Sequence, residues 1–323
     1  MGEWFAVNDL ATAVLTLIVI GIFAVLAGWQ ISKRHTERRV HLVAVAALFL
    51  MAGYLTHLWN RPVLAQLVPV SSLVILANWL PIWGSFFAGI YLAMTCVNPW
   101  RRGFVGSFAL GLCAYSAVQP LLGTGPVCEA DSPSTADLQF QTTPFTCSAA
   151  CAASLLRLHG IEATESELAE LCLTREGTHW MGLFRGLKLK TEDTAWDVSV
   201  AAFDRNRLLQ RSAAPCVLAV DVDITGFEKG VDHGFCSDAG HSVVYLQRYS
   251  DDCITVFDPS PDFGVDHWDH RILKCIKRGV TISLIPRDPT SPESLLTARR
   301  IAAAVARRPR SVAYANAVAD RRW

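Results

Sequence analysis

The chain has 323 residues, 51% hydrophobic and 18% charged, with 29 basic and 29 acidic side chains and a formal net charge of +0. That balance gives no footing for a nucleic-acid partner, and the length allows about two domains. Among the 10 cysteines there is no C-x-x-C pair, which excludes a thioredoxin motif or a zinc knuckle.

Composition splits along the chain. Up to about residue 125 it is mostly apolar and almost free of acids; beyond that it reads as an ordinary domain of roughly 160 residues, enough to bury its own core. Leu10 to Trp29 is an uncharged run of 20 residues, matching the ~20 needed to cross a bilayer. Glu3 and Asp9 precede it and no basic residue does, so it is not a signal peptide. Val40 to Trp59 is a second run, interrupted only by His41 and His57 near its ends. Val63 to Val97 has no charge at all. As one helix it would be about 52 Å long at 1.5 Å per residue, too long for a single span. The pattern predicts a span near 77–97, preceded by an interfacial or re-entrant piece, and a last span over 104–122. The expected division is a transmembrane region at 1–123 with helices near 10–29, 40–59, 77–97 and 104–122, an exposed Gly/Pro/Ser-rich linker at 124–138, a folded domain at 139–288 and a basic tail at 289–323.

Lys33, Arg34, Arg38 and Arg39 follow the first span, and Arg101 and Arg102 the third; only Arg61 follows the second. By the positive-inside bias both basic loops are cytoplasmic, so the N-terminus and the domain after the fourth span lie outside the cytoplasm, at the plasma membrane. No Asp, Glu, Lys or Arg lies within the spans, which argues for an anchor in the lipid bilayer rather than a transporter. Cys96 and Cys113, in apolar runs, are expected as packing residues.

In the second half, Thr143-Pro144 reads as N-cap and first helical residue for a helix over 145–158, with Gly160 as its stop. Thr164 and Glu167 form a capping box for a helix over 165–172, and Thr178 caps a third over 179–188. Val217 to Val220, Ser242 to Leu246, Ile254 to Phe257 and Val280 to Ile285 are β-branched and aromatic runs that predict strands. Helices first and strands later indicate an α+β domain. Ser294 to Arg308 is expected as a solvated basic helix.

Four residues fall in an order that carries chemistry. Gln141 lies six residues before Cys147, Cys147 falls in the first turns of a predicted helix, His241 opens a strand and Asp258 ends the next one. A thiol becomes a good nucleophile as the thiolate, and a helix N-terminus and a neighbouring imidazolium both favour that anion. The imidazolium returns a proton to the leaving group, and a carboxylate on the adjacent strand fixes the ring. An amide upstream of the helix, beside the Cys147 backbone N–H, suits a developing oxyanion.

The run Gln141-Thr-Thr-Pro-Phe-Thr-Cys147-Ser-Ala-Ala-Cys151 resembles the start of the bacteriocin-processing peptidases, papain-like domains that remove double-glycine leaders in peptide-exporting ABC transporters. Gly177 to Leu183 resembles the family's middle helix, and Gly240-His241 through Asp258-Pro259 its His and Asp block; the resemblance spans about 139 to 286. It implies a multi-pass α-helical membrane anchor followed by an α+β papain-like cysteine peptidase domain, with Cys147 as nucleophile, His241 as base, Asp258 as orienting residue and Gln141 as oxyanion donor. Thr146 and Ser148 depart from the family, which often has an acid before the nucleophile and Gly after it. No P-loop motif occurs in these residues. ATP-driven export by this chain is therefore not expected, and export machinery would be a separate partner. The expected substrate is a peptide or protein, with no cofactor and no metal. The alternative is a catalytically silent papain-like module that binds a peptide or serves as an export adaptor. Acyl transfer to an amine instead of water is a variant of the first reading.

Several neighbours have plainer readings. Cys151, one helical turn beyond Cys147, is expected in the core. His179 and Trp180 belong either to a substrate groove or to a helix surface, and Gly226 to Asp238 is an ordinary loop before His241. His267 and His270 are three apart, a helical spacing, and without further ligands they do not make a zinc site.

Overall fold

The computed structural model describes residues 2–95, 97–129, 134–135, 137–210, 215–223 and 240–290. The chain divides into two units, Met1–Gly123 and Thr124–Trp323.

The first unit is helical: α1 (Gly2–Arg34), α2 (Glu37–His57), α3 (Val63–Leu67), α4 (Leu73–Leu76), α5 (Leu80–Ala93) and α6 (Pro99–Val118). Four stretches are long and apolar enough to cross a membrane: Asn8–Arg34, Glu37–His57, Leu73–Ala93 and Pro99–Leu121. The uncharged run 63–97 is three helices rather than one. Its longest helix begins at Leu80, not near residue 77, because Pro81 fits only a first helical turn. The break before it is held by Asn78, whose Nδ2 donates to the Ser116 carbonyl and hydroxyl oxygens, 2.9 Å each, while its Oδ1 accepts from the Leu80 N–H. Helices α1 and α5 approach backbone to backbone at two glycines: a Cβ on Gly28 would sit 2.2 Å from the Phe86 carbonyl oxygen, and one on Gly89 2.1 Å from that of Val25. Phe23, Phe49, Leu50, Phe104 and Phe108 face outward.

The second unit is α+β. A short ribbon, β1 (Ser134–Thr135) with β2 (Leu138–Gln139), precedes α7 (Cys147–Leu158), α8 (Glu165–Leu171) and α9 (Trp180–Thr191). There follow β3 (Trp196–Ala202), α10 (Arg205–Gln210), β4 (Cys216–Val222), β5 (Gly240–Arg248), β6 (Ile254–Asp258), β7 (Gly264–Trp268), α11 (His270–Cys275) and β8 (Ile276–Pro286). The six strands β3 to β8 form one antiparallel sheet in the order β3-β8-β4-β5-β6-β7. Helix α7 packs against β5 and β4. Its residues Ala149 to Leu156 are wholly buried, as expected for a helix lying between the sheet and its neighbours.

Several boundaries differ from the sequence pattern. The linker does not stay exposed to its end: Leu138 is buried and paired in β2, and the Gln139 N–H donates to Ser154 Oγ at 2.9 Å. The first helix of this unit starts at Cys147 with Thr146 as N-cap, not at Thr143-Pro144. Thr143 is instead tied to Thr146 by a hydroxyl–hydroxyl contact of 3.0 Å and by the Thr146 hydroxyl donating to its carbonyl. The predicted stop holds. Gly160 adopts φ +77°, its N–H donates to Arg157 O and that of Ile161 to Leu156 O, closing the helix in a Schellman turn. Thr164 caps α8 by accepting from Glu167 N–H, but the Glu167 carboxylate pairs with Lys190 rather than closing the box. The cap of α9 is His179, one residue beyond Thr178. The basic tail helix and the loop at 226–238 lie outside the described residues.

Candidate active site

The segment leading into α7 is held from two sides. The Gln141 N–H donates to Pro259 O at 2.8 Å, tying it to the residue after β6. The Thr142 N–H donates to Oε1 of Glu165, a carboxylate buried at the start of α8, also at 2.8 Å. With the Thr143–Thr146 knot, these bonds set the chain so that Cys147 is the first residue of the helix. Its thiol therefore lies where free N–H groups and the helix dipole favour an anion.

Strands β5 and β6 are adjacent and antiparallel, with Val244 opposite Phe257. This brings His241, near the start of one, to Asp258, at the end of the other. His241 Nε2 lies 2.8 Å from Asp258 Oδ2, with the Asp258 side chain 2% exposed and that of His241 14%. The second carboxylate oxygen of Asp258 accepts from the Ser260 N–H at 2.8 Å. With Nε2 on the carboxylate, Nδ1 is the ring nitrogen available to the thiol. The structure thus brings Cys147, His241 and Asp258 together.

The electrostatics agree with that geometry. Burial alone would push the Cys147 thiol up. The hydrogen bond and positive charge of His241, with bonds from the Ser242 backbone and the Ser148 hydroxyl, outweigh it and hold the thiol below its ordinary value. Burial works against the charged form of His241 as well, yet its bonds to Asp258 and Cys147 raise it to about 10. A buried group whose partners outweigh its desolvation marks a site worth testing for chemistry.

Gln141 is fixed through its backbone, and its side-chain Oε1 is buried with no hydrogen-bond donor among the described residues.

Other singled-out residues fall elsewhere. Cys151 is in the core, as expected. It is fully buried with Sγ 3.2 Å from the Ser242 carbonyl oxygen, and burial pushes its thiol well above the ordinary value. Trp180 is also buried, at the start of α9. His267 and His270 do not share a helix. His267 is in β7, with Nδ1 3.3 Å from Thr255 Oγ1, and His270 begins α11 after its N-cap Asp269. No two of the described cysteines are joined by a disulfide.

Sequence reasoning missed Ser242 altogether and saw Ser148 only as a departure from a family pattern. Their hydroxyls meet at 2.8 Å between α7 and β5. The available signal was a buried-strand or buried-helix serine directly after each of the two reactive residues. Glu165 was read only as a helix start; the sequence gives no local sign that its carboxylate holds the turn before Cys147.

No protein-family model matches this chain, and no curated protein matches it. Among solved structures, it is similar to the peptidase domain of Streptococcus ComA, described as a bi-functional ABC transporter involved in a quorum sensing pathway. The identity is 19% and the TM-score 0.36, over 47% of this chain and 100% of that one. It is similar also to the peptidase domain of Streptococcus mutans ComA, with 20% identity and a TM-score of 0.30 over 46% of this chain and 99% of that one.

Proposed function

We propose that the chain is a membrane-anchored cysteine endopeptidase acting on peptide or protein substrates through Cys147, His241 and Asp258. The observation that carries the reading is the placement of one imidazole between a thiol at a helix N-terminus and a buried carboxylate 2.8 Å from Nε2. The thiolate attacks the scissile carbonyl carbon. The carbonyl π electrons pass to oxygen, and the Cys147 N–H and the Gln141 carboxamide stabilise that oxyanion. The His241 imidazolium gives its proton to the leaving amine as the C–N bond breaks, leaving a thioester. Water then attacks the thioester, its proton passes to the imidazole, and the carboxylic acid product leaves the thiolate restored. Asp258 orients the ring and stabilises its charged form.

The charged pair exists above the lowered Cys147 pKa and below the His241 value of about 10. Reactivity therefore has an acid limb from the thiol and an alkaline limb from the imidazolium. The basic loops at Lys33 to Arg39 and at Arg101 and Arg102 support a cytoplasmic side for both, with the peptidase unit outside the cytoplasm. Any export machinery acts as a separate partner.

The test is alkylation by an iodoacetamide probe at about pH 6 in intact membranes, where an ordinary thiol of pKa ~8.5 is almost wholly protonated and slow. Fast labelling that disappears in both Cys147→Ala and His241→Ala is the expected result. Labelling of Cys147 at the rate of the other cysteines, indifferent to His241 and to prior reduction, would replace the peptidase by the silent binding module.

A further inference from the structure

We propose that the hydroxyls of Ser148 and Ser242 are a positioning pair of this site: a 2.8 Å bridge between the residue after the nucleophile and the residue after the base, which sets thiol against imidazole. The inference rests on the peptidase reading for its bearing on turnover, but not for its bearing on the thiol.

Both side chains are buried, Ser148 at 4% exposure and Ser242 at 2%. A buried hydroxyl is costly unless bonded, and an apolar residue at either position would pack between α7 and β5 with no such cost. Each hydroxyl here satisfies the other, across 94 residues of sequence. Because Ser148 adjoins Cys147 and Ser242 adjoins His241, the bridge pins the helix N-terminus to the strand at the point where thiol and ring face each other. Either hydroxyl can be the donor of the bridge, and the Ser148 side chain is among the groups that hold the Cys147 thiol below its ordinary value. The Ser242 backbone adds its own bond to Cys147, and the Ser242 carbonyl accepts from Cys151 Sγ at 3.2 Å. Cys151 remains a protonated donor because burial raises its pKa well above the ordinary value. Ser242 is therefore held through side chain and backbone by the first two turns of α7.

The experiment uses the full chain in membranes and measures the rate of Cys147 alkylation from about pH 5 to 10 in wild type, Ser148→Ala, Ser242→Ala, the double Ala variant and Ser242→Thr. Loss of one hydroxyl hydrogen bond corresponds to roughly three- to tenfold. Ser148→Ala is expected to slow labelling at pH 6 by about that factor and to move the acid limb of the profile upward by about half to one pH unit. Ser242→Ala moves it in the same direction by less, Ser242→Thr keeps the hydroxyl and restores the wild-type limb, and the double variant is no worse than Ser148→Ala alone. The double variant also keeps the test sound if a single Ala destabilises the fold, since removing both partners leaves no unpaired hydroxyl. A profile unmoved in Ser148→Ala and in the double variant, with labelling still lost in His241→Ala, overturns this inference and leaves the peptidase reading intact. If His241→Ala leaves wild-type labelling unchanged, the peptidase reading itself falls.

Discussion

The two units solve opposite packing problems. In the second, the large apolar side chains go inward: Leu155, Leu156, Leu183, Leu187, Tyr245 and Trp268 are wholly buried. In the first, Phe23, Phe49 and Phe108 point outward, and Gly28 and Gly89 let α1 and α5 approach closely beside a small buried cluster of Ala13, Leu17, Ile75 and Ala117. Water rewards hiding an apolar side chain; a hydrocarbon solvent gives no such reward, and association there depends on close backbone approach and polar bonds. Asn78 bonded to Ser116 in one unit, and His241 bonded to Asp258 in the other, show the matching rule for polar groups. Each is placed away from solvent and given a partner.

Substitutions can break this contrast in graded steps. The largest effect is expected from Gly89→Leu, since even a Cβ would meet the Val25 carbonyl oxygen at 2.1 Å. Hydrogen exchange of the full chain in detergent, resolved by peptide, should show α1 and α5 opening; unchanged protection there would refute the close contact. Leu156→Ala, at a position with 0% exposure, is expected to cost about 2–5 kcal/mol of the second unit's stability. That loss is read from the denaturant midpoint at which His241-dependent labelling of Cys147 disappears.

A third step uses pH. His159 is buried against Trp196, with Nδ1 2.7 Å from Leu155 O, and burial lowers its pKa from 6.5 to about 4. The unfolded chain takes up the proton first as pH falls. The stability contributed by neutral His159 is thus complete above pH 6.5 and is lost progressively down to about pH 4, roughly 3 kcal/mol in all. The midpoint should fall over that range in the wild type and less steeply in His159→Gln; parallel slopes would remove His159 as the cause. The smallest effect is expected from Phe49→Ala on the outward face of α2, within about 0.5 kcal/mol. Peptide-resolved exchange should leave α2 unchanged, and a marked loss of protection would mean that this face has a protein neighbour.

The sequence made the units and four of the six large-sheet strands legible because their signals are local: uncharged runs of bilayer length, and dense β-branched runs at β4, β5, β6 and β8. The strand Trp196–Ala202 carries its signal only as alternation, Trp, Val and Val inward with Asp and Ser between them, and β7 holds Asp266 and His267 at an edge, where polarity hides a strand. Thr143 looked like a cap because capping residues are recognised by type. Which threonine caps depends on Glu165 and Pro259 gripping the segment from outside it. Cys147, Gln141, His241 and Asp258 stood out by chemistry and order, whereas the Ser148–Ser242 bridge is a long-range contact between two unremarkable residues.

The bond from the Gln141 N–H to Pro259 O has a consequence in time. It closes a loop spanning most of the second unit, and the chain past Asp258 must exist before it can form. On the proposed reading, a nascent chain that has not yet made this bond carries an ordinary, slow thiol at residue 147. Loops of that length close late, after local helices and turns. The reactive thiolate is then a product of completed folding, and its appearance during synthesis would serve as a clock for the last long-range contact to be made.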